Sequence, residues 1–374
     1  MELDTRIAVV GVGRLGLCIA LSFERVGYNV VGVDTNESYV RSLNEKTFRS
    51  YEPYVSDYLR ASKNFKATTS LEEGLAHSDI IFIMVPTPQS GGVNFYDHSI
   101  LSSVLLKINS LKPVAKHFIV GCTVTPQYID TIGRPLLADT TDCTLNYHPE
   151  FVAQGSIIDN YRNPDIILIG QENPLIGERI ERVCRSVILG SSTICRLPIL
   201  DAELTKIALN GFLTMKIAYA NLIGDLCTKM GANPENVLES IGRDSRIGTK
   251  YLKYGFSYGG PCLPRDARNL ANILENNGFD ASLLKSTDKA NENHVDFQMG
   301  RYIGSANGDK NMTFTVTGVC YKNESNIPII EESARLKIAY RLAIQGYKVV
   351  IVDQPHIIDE VRKTYGMLFG YQPV

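Results

Sequence analysis

Nothing in this 374-residue chain is spaced to hold a metal. Its six histidines do not cluster, and its eight cysteines (Cys18, Cys122, Cys143, Cys184, Cys195, Cys227, Cys262 and Cys320) contain no Cys-x-x-Cys pair. That scatter argues against both a zinc site and a disulfide framework, and a reducing, cytoplasmic setting is expected. Positive charge is not in excess. Lys and Arg number 38 against 40 Asp and Glu, a net charge of −2, so no nucleic-acid partner is expected. Long apolar runs are missing too. The stretch 80–85 is among the longest and is far too short to span a bilayer. The opening residues Met1-Glu2-Leu3-Asp4-Thr5-Arg6 lack the basic region and apolar core of an export leader. Low-complexity segments and short repeats are absent.

What remains is the composition of an ordinary soluble protein, with 44% hydrophobic and 21% charged residues. The length suggests two or three domains. The first third alternates strand-like and helix-like patterns: a strand over 6–10, a helix over 15–26, a strand over 29–34, then strands over 80–85, 118–121, 145–147 and 166–169. Such alternation predicts an α/β fold with a parallel sheet covered by helices on both faces. Residues 201–230 are free of proline and apolar at helical spacing, which predicts one long helix ending near Gly231. A second helical stretch follows Pro234, before a glycine-rich region over 242–260. Strand, helix and strand return over 313–319, 332–345 and 348–353. The expected architecture is a Rossmann-type dinucleotide-binding domain (1–198), a long central helix with a helical domain (199–300), and a short C-terminal α/β domain (301–374).

Gly11-Val12-Gly13-Arg14-Leu15-Gly16 lies between the first predicted strand and the first predicted helix. In that context the first glycine makes the tight turn, the second admits a pyrophosphate to the backbone, and the third lets helix and strand pack closely. The helix N-terminus then meets the phosphate charge with its N–H groups. Asp34 ends the second strand, where a carboxylate bonds ribose hydroxyls and repels a 2′-phosphate. NAD is therefore expected rather than NADP.

A second feature is the run Tyr258-Gly259-Gly260-Pro261-Cys262-Leu263-Pro264-Arg265-Asp266. Glycines admit a close ligand and prolines stiffen the backbone. The thiol of Cys262 is thus expected in a rigid turn, with a carboxylate four residues on. A buried, inert cysteine is the competing reading. Glu203, Lys206 and Asn210 share one face of the long helix, which read alone is a solvated polar stripe. Pro149-Glu150-Phe151-Val152-Ala153-Gln154-Gly155, Val85-Pro86-Thr87-Pro88 and Cys122-Thr123-Val124 stand earlier, and Gly318-x-x-Tyr321-Lys322 later.

In that order, over nearly its whole length, the chain resembles the UDP-glucose/GDP-mannose dehydrogenase family. The resemblance implies an NAD-dependent, four-electron oxidation of a nucleotide-sugar primary alcohol to a carboxylate, with UDP-glucose first among the substrates. It implies that Cys262 is the nucleophile, forming a thiohemiacetal and then a thioester. Lys206 and Asn210 would stabilise the oxyanion, Asp266 the hydrolytic water, and Glu150 with Thr123 would move protons. It further implies that Gly11, Val12, Gly13, Arg14, Leu15, Gly16, Asp34, Pro86, Thr87, Thr123 and Arg265 hold NAD. The nucleotide sugar would meet Glu150, Phe151, Val152, Lys206, Asn210, the loop Tyr251-Leu252-Lys253-Tyr254-Gly255, Gly259 and Lys322, with Arg246 reaching a neighbouring subunit's site.

The chain departs from the family pattern at four points. Gln154 stands where a second glutamate is usual, Arg265 replaces a lysine, and Cys122 replaces a serine. Between Lys322 and Ser333 the usual arginine is missing, and the third domain is short. Gln154 and the short third domain motivate a competing reading, a sugar-nucleotide binding protein with reduced or lost catalysis. A dehydrogenase of another sugar nucleotide (a UDP-N-acetylhexosamine or GDP-mannose) fits the same motifs, and a two-electron β-hydroxyacid dehydrogenase shares the fold logic without needing the cysteine. The apolar content of the long helix predicts a homodimer built upon it.

Overall fold

The computed structural model of the protein describes residues 5–90, 96–322 and 326–374. The opening residues 1–4 and residues 323–325, between Lys322 and Ser333, lie outside them. The chain divides into two units, residues 1–206 and 207–374.

The first unit is built on eight strands: β1 (Arg6–Val10), β2 (Asn29–Val33), β3 (Phe65–Thr68), β4 (Ile80–Ile83), β5 (His117–Val120), β6 (Thr144–Tyr147), β7 (Ile166–Gly170) and β8 (Thr193–Leu197). Their order is β3-β2-β1-β4-β5-β6-β7-β8. Neighbours run parallel except β6 and β7, which meet antiparallel at Tyr147 and Gly170. The sheet is buried on both faces. Along β1, Ile7 and Val9 enter one apolar core with Leu17, Phe23 and Phe82, while Ala8 and Val10 enter the other with Ile83, Leu101 and Phe118. Such alternation is what a strand between two helical layers requires. The order reverses between β1 and β4, and in an open parallel sheet the crevice at the carboxyl ends of such strands is the ligand site. The glycine run follows β1, and the segment holding Pro86 and Thr87 follows β4.

The long helix runs Ile199–Met230, beginning in the first unit and continuing into the second. The second unit adds helices Pro234–Gly242, Leu263–Asn276 and Ser282–Ser305. It closes with β9 (Thr313–Thr317), helix Ala334–Ile344, β10 (Lys348–Asp353), helix Pro355–Tyr365 and β11 (Gly370–Pro373). These three strands form a parallel sheet in the order β11-β10-β9, packed around Phe314, Val316, Leu336, Ile351 and Val361. Among the described residues no helix is long and apolar enough to cross a membrane, and no group of three or more His, Cys, Asp or Glu side chains could hold a metal ion.

The mixed α/β architecture with its parallel N-terminal sheet and long central helix agrees with the sequence. Three short strands escaped it: β3, β8 and β11. So did helix Leu263–Asn276, which opens where a rigid turn was expected. Pro264 in its first turn is compatible with helix, because the first helical N–H groups have no intrahelical partner.

The glycine run gives a sharp test. Gly11 has φ +88°, and a Cβ built on it would lie 2.7 Å from the carbonyl oxygen of Met84. A Cβ on Gly16 would lie 2.0 Å from the carbonyl oxygen of Gly11, so backbone would have to move. Gly16→Ala should therefore cost about 2 kcal/mol or more and weaken NAD binding together with it. Thermal unfolding and calorimetric NAD titration would measure both, and an unchanged melting point with unchanged affinity would refute the packing argument.

Candidate active site

The dinucleotide loop is assembled by backbone. Gly11 N–H donates to the carbonyl of Val33 at 2.8 Å, which ties the turn after β1 to the end of β2. Gly13 caps helix Arg14–Arg25 in extended geometry, with open space around its Cβ position. The hydroxyl of Tyr39 donates to the carbonyl of Val12 at 2.8 Å. Asp34 follows β2 directly, half-buried, and its carboxylate accepts from Asn36 N–H at 3.1 Å. A glycine turn that no side chain could fill, a helix N-terminus beside it and a carboxylate after the next strand fit the pyrophosphate and ribose of NAD. Thr87 is buried, and its hydroxyl donates to the carbonyl of Thr123 at 2.9 Å, joining the segments after β4 and β5. Arg14 donates to the side-chain oxygen of Gln154, so the residue that departs from the family pattern holds the glycine loop's own arginine.

Glu150 and Lys206 meet in the first unit. The buried Lys206 ammonium donates to the carbonyl of Glu150 at 2.7 Å and stands 4.4 Å from the ring centre of Phe151. The Glu150 carboxyl is buried, and burial pushes its pKa up against the pull of His148 and Lys206. A carboxyl raised in this way keeps its proton more readily than an exposed one, a property acid–base work can use. His148 was not singled out in the sequence. It follows β6, and its Nε2 lies 3.3 Å from Glu150 Oε1. The sequence signal was its position two residues before Glu150, which a search for metal-ligand clusters passes over.

Glu203 departs from its two face-mates. Its carboxylate accepts from the N–H groups of Gln127 at 2.7 Å and Ile129 at 3.0 Å. Burial pushes it up to about 7 in spite of those two donors. It pins the turn after β5 to the start of the long helix.

In the second unit Cys262 is exposed and forms the N-cap of helix Leu263–Asn276. Gly260, at φ +81°, leaves no room for a side chain against Tyr321, and Gly259 none against the carbonyl of Glu332. One turn into the helix, the fully buried Asp266 accepts from the Asn210 amide at 2.6 Å and from Arg265 Nε at 3.1 Å. Asn291 holds the approach to the thiol: its amide bonds both the N–H and the carbonyl of Tyr258, at 2.9 and 3.0 Å.

The 251–255 loop is anchored on two helices. Asn221 accepts from Gly255 N–H at 3.0 Å, and His294 Nε2 and the Gln298 amide both bond the Gly255 carbonyl at 2.8 Å. Asp225 receives the Tyr254 hydroxyl at 2.9 Å and His294 Nδ1 at 2.8 Å. Leu252 is buried, while Tyr251, with φ 61°, and Lys253 are exposed. Lys322 is half-buried in the segment after β9. Arg246 is exposed and pairs with Asp244 at 2.7 Å. Asn291, Asp225 and His294 gave no sequence signal beyond polar positions on helices.

Against known proteins, a model of the NAD binding domain of the UDP-glucose/GDP-mannose dehydrogenase family matches residues 5–188, and a model of that family's central domain matches 200–293. A UDP-glucose 6-dehydrogenase of Bacillus subtilis is 31% identical over 359 residues, covering 93% of this chain and 79% of the relative. The solved structure of a UDP-glucose dehydrogenase from Pyrobaculum islandicum superposes with a TM-score of 0.89 at 25% identity, covering 100% of this chain and 87% of that one. A UDP-D-ManNAc dehydrogenase from Pyrococcus horikoshii follows with a TM-score of 0.81 at 25% identity, over 93% and 83%.

Because Glu203 satisfies two backbone donors, its removal is expected to act on stability. Glu203→Ala should cost about 1–3 kcal/mol and leave kcat per folded molecule within about twofold of the parent. Melting temperature and steady-state rates separate the two effects. An unshifted melting point with a collapsed kcat would make Glu203 a functional residue instead.

Proposed function

The chain belongs to the UDP-glucose/GDP-mannose dehydrogenase family, the NAD-dependent nucleotide-sugar dehydrogenases, and from that premise we propose that it oxidises the C6 alcohol of UDP-glucose to the carboxylate through a covalent intermediate on Cys262. One observation carries the reading. Cys262 opens a helix whose first turn bears the buried Asp266, hydrogen-bonded to Asn210 of the long helix. A helix N-terminus favours the thiolate, which is the nucleophilic form. The glycine loop with Asp34, Pro86, Thr87, Thr123 and Arg265 would hold NAD, and one NAD for each oxidation would supply the hydride acceptor.

Once the alcohol has become an aldehyde, the Cys262 sulfur adds to its carbon and the oxygen takes a proton, giving a thiohemiacetal. Oxidation of that adduct leaves a thioester. Water then attacks the acyl carbon, the thiol leaves, and the carboxylic acid loses its proton. Sulfur suits both roles, as a strong nucleophile and an adequate leaving group. The Lys206 ammonium and the Asn210 amide stabilise the oxyanion that develops at each addition. Asp266 orients the attacking water, and Glu150 with Thr123 passes protons. Phe151, Val152, residues 251–255, Gly259 and Lys322 hold the nucleotide sugar.

The proposed assembly is a dimer on the long helix. That helix is inverted for a solvent-facing one: Glu203, Lys206, Asn210, Thr214 and Asn221 are buried, while Phe212 (55% exposed), Leu222 (57%), Leu226 (52%) and Met230 (74%) are not. An apolar stripe of this kind marks an interaction surface, and a second copy of the same helix is the occupant that closes it symmetrically. Arg246 then serves the neighbouring subunit's site.

With saturating NAD, each UDP-glucose consumed should release two NADH and one uronate. Cys262→Ser should lower acid release by at least about 1000-fold with KM for UDP-glucose little changed. A single NADH per sugar, or undiminished acid release by the variant, would overturn the thioester route. Tight sugar-nucleotide binding without turnover in the parent, with turnover restored by Gln154→Glu, would favour a binding protein instead.

For the assembly, sedimentation should give a dimer. Leu222→Glu combined with Leu226→Glu should shift it to monomer, whereas a monomeric parent protein would refute the interface.

A further inference from the structure

His148 has no role in the mechanism above, yet both of its ring nitrogens are engaged. It is buried, and its backbone N–H donates to the Val120 carbonyl at 2.9 Å. Nδ1 lies 2.7 Å from the carbonyl of Leu168 in β7. A carbonyl only accepts, so Nδ1 carries a proton and donates it. That fixes the tautomer and leaves Nε2 as the variable nitrogen. Nε2 is hydrogen-bonded to Cys184 Sγ of helix Pro174–Ser186 at 3.5 Å and lies 3.3 Å from Glu150 Oε1, a buried oxygen that has no hydrogen-bond partner among the described residues. A bare nitrogen beside a bare carboxylate in a buried site would leave two acceptors facing one another. One proton between them removes the conflict, whether as imidazolium with carboxylate or as imidazole with carboxylic acid.

We propose that His148 is a positioning residue for Glu150, sharing one proton with its carboxyl through Nε2 and so fixing the form in which Glu150 enters the reaction. The inference rests on the proton-transfer reading of Glu150 given above. Burial alone would pull His148 down, and its neighbours Cys184 and Glu150 outweigh it and carry it upward. Glu150 itself is raised by burial. Both shifts run toward keeping a proton on the pair. The other titratable groups facing the pair are Lys206 of the long helix and Tyr161 of helix Ile157–Arg162, whose buried hydroxyl has no hydrogen-bond partner among the described residues. Lys206 favours the carboxylate, and Tyr161 is held neutral by burial. With the ion pair in place Glu150 is ionised and accepts a proton from the reacting water or alcohol, becoming the acid beside an imidazolium. The proton leaves to solvent in the next half-reaction, and the pair is restored.

The test compares His148→Gln, His148→Asn and Glu150→Gln with the parent enzyme, using UDP-glucose and NAD over about pH 6 to 9. Loss of the imidazolium raises the pH at which Glu150 gives up its proton. The acid limb of the kcat profile should therefore move up by about one pH unit, with kcat lowered about 10- to 100-fold and KM within about twofold. A purely structural His148 would lower the melting point and leave the limb in place, and that result overturns the proposal. If Glu150→Gln abolishes the limb while the His148 variants leave it unmoved, His148 alone fails. If Glu150→Gln changes neither kcat nor limb, the proton-transfer reading of Glu150 fails and takes this inference with it. Should both His148 variants misfold, ring ¹⁵N spectra of the unaltered protein decide: a proton shared at Nε2 supports the pair, and a bare Nε2 throughout the active pH range overturns it.

Discussion

The hydrogen bond between Asn210 and Asp266 is the constraint on which the chemistry proposed for the second unit depends. Asp266 is wholly buried, and a buried carboxylate without donors would be untenable. Its two donors, the Asn210 amide and Arg265 Nε, come from the long helix and from its own helix. The Asn210 bond ties helix Leu263–Asn276 to the long helix, while Arg265 is its own neighbour along the chain. The position of Cys262 follows, because Asp266 N–H donates back to the Cys262 carbonyl at 2.8 Å. The preceding turn is clamped independently, by Asn291 on Tyr258 and by the Glu331 carbonyl on Gly260 N–H. Further along the helix Arg268 pairs with Asp288 and Glu332. These ion pairs are partly buried, where charge pairing is screened less than at an open surface. The thiol is exposed, but the backbone that carries it is over-determined.

The same need explains why the long helix is built inside out. Side chains that must reach a ligand or one another cannot also face solvent, so Lys206, Asn210 and Asn221 take the inner face and each finds a partner there. The bulkiest apolar residues, Phe212, Leu222, Leu226 and Met230, are left on the outer face, while smaller ones such as Ala202, Ala218 and Ala220 are buried. A helix that spent its outer face on charge would be soluble alone, whereas an apolar outer face calls for a cover. In the proposed dimer, active-site construction and self-association are thus two consequences of one arrangement of residues around one helix axis.

The elements legible in the sequence were those whose local signal and tertiary role coincide. β1, the glycine run and β2 are such a case: the apolar alternation, the turn and the helix start all point to one structure. The buried strand β4 is another, since a short continuous apolar run between polar flanks suits the centre of a parallel sheet. The short strands β3, β8 and β11 were hidden because each has a neighbour on one side only, and edge strands tolerate mixed polarity. Helix Leu263–Asn276 was hidden by its own start, where two prolines and two glycines suggest a loop, although proline in a first turn equally begins a helix. Helical spacing grouped Glu203 with Lys206 and Asn210 correctly as to face. It could not say that Glu203 would meet two backbone N–H groups. Periodicity gives direction, and the identity of the neighbour comes only from tertiary packing. His148 was invisible for the same reason, since the Leu168 carbonyl and Cys184 that define it are 20 and 36 residues away.

The two sheets sharpen the distinction between fold and site. β9, β10 and β11 repeat the order of β1, β2 and β3, and Gly318 follows β9 at φ +64° as Gly11 follows β1 at +88°. The acidic residues at the matching positions behave differently. Asp34 follows β2 half-buried, its carboxylate bonded to Asn36 N–H of its own turn. Asp353, at the end of β10, is buried, and its carboxylate receives the N–H groups of Val319 and Gln354. It braces the turn after β9. Right-handed crossovers between parallel strands produce the shared order in both halves whatever the ligand. The two halves differ in which hydrogen bonds a single carboxylate has already made, and that is a property of the site and not of the sheet.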